Sequence, residues 1–249
     1  MKLFILLIFF VVLSVFMSGV TKGVSISNPL KISGQIIVVK AESWDSVNAV
    51  MSLHEKKGGI WQTVKHGIPV VLGKKGLGWG RGFNIDYVDI DKNAPVKREG
   101  DGKSPAGIFA IRQAFGFSEK PPSIKLPYIK LTRDIECVDD EKSTQYNRIV
   151  DSSTVPVRDW KSSEKMSGID AYKTGIFVEH NTEKVEPGCG SCIFLHIWEA
   201  PGKGTSGCTA MAEEHILFVT EWLDPSKSPL FLQFTADIYE RIRKDLELP

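Results

Sequence analysis

Two residues in the last quarter of the chain pair a nucleophile with a base: Cys208 and His196, twelve positions apart. The thiolate, not the thiol, attacks a carbonyl carbon, and a free thiol is mostly protonated near neutral pH. An adjacent imidazole can take that proton, and a helix start can hold the negative charge. Ser206-Gly207-Cys208 stands just before a segment of helical periodicity, which offers both aids. Gly207 permits a tight turn. The amides of Gly207 and Cys208 then point at a developing oxyanion, worth ~2.7–4 kcal/mol per donor. These are the parts of an acyl-transfer site. By spacing alone they also fit an inert buried cysteine and a satisfied strand histidine.

The elements around the pair read clearly. Ser191–Trp198 alternates, with Ile193, Leu195 and Ile197 on one face and Cys192, Phe194, His196 and Trp198 on the other. A loop with Pro201, Gly202 and Gly204 turns the chain back towards Cys208. Ala212–Leu223 carries Ala212, Ile216, Val219 and Leu223 at helical spacing, and Pro225 ends it. Further strands are expected at Gln35–Lys40, Ile68–Leu72, Ile108–Ile111, Ile176–Glu179 and Pro229–Phe234. Asn48–Leu53 and Ile60–Val64 flank Lys56-Lys57-Gly58-Gly59 and read as a hairpin. Ala236–Leu246 reads as a C-terminal amphipathic helix. Gly73–Gly82 holds five glycines and reads as a surface loop without the context of a phosphate loop. Pro121–Gly168 reads as a long irregular, site-forming loop. The fold class is mainly β, sandwich- or barrel-like, with a few short helices; an α+β arrangement is the alternative.

Other residue groups invite chemistry. Cys189-x-x-Cys192 with His196 suggests zinc, but on a strand Cys192 and His196 stand ~13 Å apart along its axis. Zinc ligands must converge within ~2–2.3 Å of one ion. No metal or other cofactor is expected. A Cys189–Cys192 disulfide and two free thiols fit the sequence equally well. His180 and Asn181 follow a strand that could lie beside His196, giving either a lining role or an ordinary strand-end pair. Asp139, Asp140, Tyr146 and Asn147 could wall a substrate site. Adjacent Asp139 and Asp140 point oppositely in a strand, which argues against a glycosidase pair. Arg81, Arg98 and Lys103 sit in glycine-rich loops and could meet carboxylates or be solvated charges.

The 249-residue chain has 42% hydrophobic residues and a formal net charge of +1, which gives a sizeable core and no broad footprint for nucleic acid. Met1 and Lys2 precede an apolar run, Leu3–Met17, followed by Ser18, Gly19, Thr21 and Gly23. This reads as an export signal or an N-terminal membrane anchor over residues 1–23, with one domain at 24–249. Four cysteines in an exported domain of this size do not make a disulfide scaffold.

The segment from Ser191 to Met211 resembles the signature of the YkuD family of L,D-transpeptidases. His196 matches the family's base, Gly207 its glycine and Cys208 its nucleophile. Gly102-Lys103-Ser104-Pro105-Ala106-Gly107-Ile108-Phe109 resembles the family's Thr-Pro-x-Gly-x-Phe stretch, and the resemblance runs from about Gln35 to Phe234. A divergent bacterial branch is closer, through GLGWG, CVDD, VEHN, GSCIFLHIW and GCTAM. The sequence departs from the family pattern at Ser206, which replaces a histidine, and in Thr209-Ala210-Met211, where an arginine is missing. The resemblance implies an exported enzyme of the periplasm or cell envelope, acting on peptidoglycan stem tetrapeptides through a thioester on Cys208. It implies that a backbone carbonyl orients His196. Substrate contact is assigned to Ser206, Trp198, His180, Asn181, Asp139, Tyr146 and Arg98. The alternatives are a carboxypeptidase or cysteine peptidase that hydrolyses wall peptides, and a silent wall-binding protein.

Overall fold

The computed structural model describes residues 29–83 and 91–249. The leader lies outside them. In chain order the strands are β1 (Gln35–Ala41), β2 (Asn48–Lys57), β3 (Ile60–Val71), β4 (Leu77–Trp79), β5 (Ser104–Gly116) and β6 (Tyr128–Lys130). Then come β7 (Ile135–Val138), β8 (Ile149–Asp151), β9 (Ser163–Lys165), β10 (Thr174–Val178), β11 (Phe194–Ile197), β12 (Thr209–Met211) and β13 (Leu230–Thr235). The helices are short: α1 (Pro29–Ile32), α2 (Glu213–Trp222) and α3 (Ala236–Arg243). Mainly-β architecture is therefore established, with 37% strand and 14% helix.

The large sheet runs β10-β11-β12-β3-β2-β1-β13-β5, and β5 pairs back onto β10, which gives it a barrel-like closure. β1 is central in the sheet, between β2 and a parallel β13, and its aliphatic run Ile36–Val39 is buried in the large core. Gly58 and Gly59, at φ of 58° and 83°, make the two-residue turn between β2 and β3. The Ile68–Leu72 run is mostly not a separate element. A register irregularity around Leu53 lets β3 continue through it to Val71.

Two expected loops contain strands. Gly73–Gly82 contains β4, which pairs with β5, and Leu77, Gly78 and Trp79 are buried. Its glycines serve close approach: a Cβ on Gly76 would lie 2.0 Å from the Trp44 carbonyl oxygen. Pro121–Gly168 contains β6 and a second sheet, β8-β7-β9. Strands of three or four residues are too short to show a period in the sequence.

The two faces of β11 feed two cores. Ile193 and Leu195 join the large core, which α2 and α3 also cover through Ile216, Val219, Leu223, Ile238 and Ile242. Phe194 and Cys192 join a smaller core with Phe115, Leu131, Ile135, Cys137, Met166, Tyr172, Phe177 and Cys208. The second sheet thus closes over the face of the large sheet that carries the nucleophile.

Candidate active site

His196 sits in β11 between Gly175 of β10 and Ala210 of β12. Leu195 pairs with Thr209 in parallel register, so Cys208 arrives opposite Phe194. The alternation of a strand then places Cys208 and Ala210 on the face shared by Phe194 and His196. The Phe194 amide donates to Cys208 Sγ at 3.3 Å, and the sulfur lies 3.5 Å from the Cys192 carbonyl. Both side chains are nearly enclosed, Cys208 at 7% and His196 at 8% exposure.

His196 Nδ1 is 2.7 Å from the Ile197 carbonyl oxygen. A carbonyl only accepts, so Nδ1 carries the proton and Nε2 is left as the basic nitrogen. Burial pulls this imidazole down to about 4, which the Ile197 carbonyl opposes in part. Burial pushes the Cys208 thiol well above its ordinary value, and the Glu164 charge adds to this. The Phe194 amide, Lys97 and the Tyr172 hydroxyl act in the opposite direction. Near neutral pH the resting pair is a neutral thiol and a neutral imidazole.

The backbone of the nucleophile is clamped. Thr205 Oγ1 donates to the Cys208 carbonyl at 2.6 Å, and Ser104 Oγ donates to it at 2.9 Å. Ser104 Oγ also accepts from the Gly73 amide at 2.8 Å. The role of glycine at 207 is close approach rather than a left-handed turn. A Cβ there would stand 3.2 Å from the Lys103 carbonyl oxygen and 3.3 Å from Ile193 Cδ1. The Gly207 amide donates to Thr205 Oγ1 at 3.1 Å, so it is engaged in this state. The expected helix start is absent at Cys208. β12 intervenes and α2 begins only at Glu213, which removes the helix dipole as the thiolate's support.

Residues 45–231 match the profile described as YkuD, L,D-transpeptidase catalytic domain. The chain belongs to this family. A comparison with curated proteins found no match. Among solved structures the chain is similar to the helical cell shape determining protein Pgp2 from Campylobacter jejuni, at 13% identity and a TM-score of 0.35. That similarity covers 82% of this chain and 51% of the other, so the chain spans about half the length of that protein.

Within this YkuD domain the other candidate residues divide. Tyr146 is buried and its hydroxyl donates to Glu99 Oε2, which also accepts from Ser191 Oγ at 2.7 Å. Asp139 is half-buried, and its Oδ1 is enclosed without a hydrogen-bond partner. Asp140 accepts from the Lys161 and Lys142 amides at 2.8 and 3.0 Å. Ser206 is exposed, and Trp198 is half-buried with its amide on the Met211 carbonyl.

His180 does not lie beside His196; that place belongs to Gly175. Its Nε2 meets the Cys189 carbonyl at 3.0 Å and its Nδ1 accepts from the Arg81 amide at 3.2 Å. Burial pulls it down to about 3, so it is a neutral crosslink between loops. Asn181 ties the same region to Glu186 and Gly190. Asn147 joins the His180 and Asn181 carbonyls to the Cys192 amide. Arg98 is exposed, and its amide donates to Asp101 at 2.7 Å. Arg81 pairs with Glu186 at 3.4 Å, and Lys103 Nζ donates to the Lys75 carbonyl at 2.6 Å.

The cysteine chemistry differs from either expectation. Cys192 is bonded to Cys137, and Cys189 is free. Cys192 has φ of 53° and precedes β11, so the strand starts later than the sequence alternation suggested. Its disulfide removes the thiolate that a Cys189–Cys192–His196 metal site would need.

Sequence reasoning missed Ser104, Thr205, Lys97, Glu99, Glu164 and Tyr172. Ser104 lay inside the family-like stretch and could have been weighed. Glu164 lies within the expected Pro121–Gly168 loop and Tyr172 just after it, and neither carries a periodic signal.

Proposed function

We propose that this domain is a cysteine-dependent acyltransferase of the bacterial cell envelope, acting on peptidoglycan stem tetrapeptides. The observation that carries this reading is the shared face of Cys208 and His196, with Nδ1 of the histidine tied to the Ile197 carbonyl and Nε2 left basic. The family membership of residues 45–231 supports the wall substrate. In this reading the domain occupies residues 24–249 and follows an export signal or anchor at 1–23.

The reaction has two halves. His196 Nε2 takes the thiol proton of Cys208, and the sulfur attacks the peptide carbonyl that precedes the terminal D-residue. The C–N bond breaks, and His196 returns a proton to the leaving amine. An amine of a second stem peptide then attacks the thioester and restores the thiol. Attack by water instead gives a tripeptide and a carboxypeptidase. Ser104 and Thr205 fix the Cys208 backbone so that these steps start from a set geometry.

A second reading is a wall-binding protein without turnover. It draws on the 7% exposure of Cys208 and the raised pKa of its thiol. Incubation with a disaccharide-tetrapeptide, read by muropeptide mass, separates the cases. Cross-linked dimers mean transfer, tripeptide alone means hydrolysis, and unchanged tetrapeptide from folded, reduced protein means binding at most.

A further inference from the structure

Gln233 is a buried amide in β13, at 0% exposure, between Leu232 and Phe234 of the large core. Burying an amide costs stability unless its hydrogen bonds are made. Both ends of this one are used. Nε2 donates to the Pro105 carbonyl of β5 at 2.8 Å, and Oε1 accepts from Thr209 Oγ1 of β12 at 2.7 Å. Chemistry fixes the direction of these bonds. A carbonyl only accepts, so the NH2 end faces Pro105 and the oxygen end requires a donor at position 209. Thr209 is the residue after the nucleophile. β12 pairs with β11 and β3, whereas β5 pairs with β13, β10, β4 and β6, so the two strands are not ladder partners. Gln233 joins them through the core.

We propose that Gln233 is a positioning residue for the nucleophile: it locks the register of β12, holding Thr209 in the core and so keeping Cys208 on the face of His196. This rests on the acyltransferase reading, in which those two side chains work together. Gln233 touches neither of them and acts through Thr209.

The need for such a lock follows from the strand. β12 is three residues long, with three pairings to β11 and two to β3, a short ladder for a residue that must be placed accurately. Side chains alternate with a period of two, so a slip of one residue exchanges the faces. Cys208 would then enter the large core, away from His196. The Thr209–Gln233 bond opposes this because neither neighbour can replace the threonine. Ala210 has no side-chain donor, and Cys208 offers only a weak S–H. Any slip leaves Gln233 Oε1 buried without a strong partner. A single buried polar group that sets register is a well-attested use of such groups. The link also runs beside the Ser104 bond. Ser104 holds the Cys208 carbonyl, and Pro105, the next residue of β5, receives Gln233. Two adjacent residues of β5 thus hold Cys208 and Thr209, one directly and one through Gln233.

The test compares Thr209→Val, Gln233→Leu and the double variant with Thr209→Ser, which keeps the hydroxyl, in the full chain. Three quantities are read: the rate of covalent carbapenem adduct formation, Tm, and amide hydrogen exchange. Thr209→Ser should acylate close to the parental rate. The other three should acylate roughly ten-fold more slowly or worse, since a displacement of ~1 Å at an attacking atom can cost about a hundred-fold. Exchange at residues 209–211 should rise by about ten-fold in those three, with β1 unchanged. The double variant removes the orphaned hydroxyl together with its partner, so it should melt no lower than Gln233→Leu and still acylate slowly. That dissociates position from stability. A parental acylation rate in the double variant would overturn the lock. So would unchanged exchange at 209–211, or a rise shared equally by β1. Exchange needs no substrate, so a parent that forms no adduct, with the exchange contrast intact, would sink the acyltransferase reading and leave the register lock standing.

Discussion

Removing the Cys137–Cys192 disulfide should destabilise the domain strongly. The bond joins β7 of the second sheet to the approach of β11 and spans 55 residues of sequence. Closing a loop of that length lowers the entropy of the unfolded chain by an amount worth about 4 kcal/mol at 25 °C. For a domain of this size that is roughly 8–16 °C in Tm. Both cysteines are buried, at 0% and 4% exposure, so alanine at each position leaves no polar group unpaired. Guanidinium unfolding of the Cys137→Ala/Cys192→Ala protein against the oxidised parent measures the loss. The slope with denaturant should rise as well, because an uncrosslinked chain exposes more surface when unfolded. There is a functional consequence too. The Cys192 carbonyl and the Phe194 amide bracket the Cys208 sulfur, so loosening residue 192 should slow acylation even where the fold is retained. A loss under ~1 kcal/mol, with an unchanged slope, would refute the claim that this bond staples the second sheet over the site.

Other outcomes follow from the same geometry. Ser104→Ala leaves the Gly73 amide and one bond to the Cys208 carbonyl without their partner, which should cost about 1–3 kcal/mol in unfolding experiments and lower kcat. Gly207→Ala should reduce the acylation rate by ten-fold or more with a smaller effect on Tm, since the added carbon presses on Lys103 and Ile193 and displaces Cys208. His180 and His196 have folded-state pKa values of about 3 and about 4, below the unfolded 6.5, so their stabilisation is full above 6.5 and is lost as pH falls towards 4 and 3. Glu164 has the opposite sign. Its folded value of about 7 exceeds the unfolded 4.5, so its contribution is full below 4.5 and is lost as pH rises through 7. Glu164→Gln should therefore gain stability relative to the parent at pH 8 and lose that advantage at pH 4.5, as read by denaturant melts at the two pH values.

The parts of this molecule that were legible in the sequence are those with a period. The β1 run, the β2–β3 hairpin, the alternation of β11 and the helical stripe of α2 all bury one or both faces, and burial writes itself as apolar spacing. Cys208 and His196 were found because their types and separation fit a chemistry, and the family profile covers both. The second sheet was not legible, because β7, β8 and β9 are three or four residues long. The half-buried Glu164 carries no signal in the sequence between Ser163 and Lys165. Only the fold shows that it faces Tyr172. The cysteine pairing was also beyond reach. Cys137 and Cys192 come together through the packing of one sheet on another, which no local spacing records. The helix expected directly behind Cys208 starts later for a related reason: Thr209–Met211 pairs between β11 and β3 in the large sheet before the helix can begin.

The central claim is that Cys208 forms an acyl-enzyme with wall-peptide carbonyls. Intact-mass spectrometry of the reduced protein after exposure to a carbapenem, and separately to disaccharide-tetrapeptide, tests it most directly. The account predicts a covalent carbapenem adduct that disappears in Cys208→Ala, together with loss of the terminal D-amino acid from the tetrapeptide. A folded protein with Cys208 reduced, no adduct and intact tetrapeptide would contradict it.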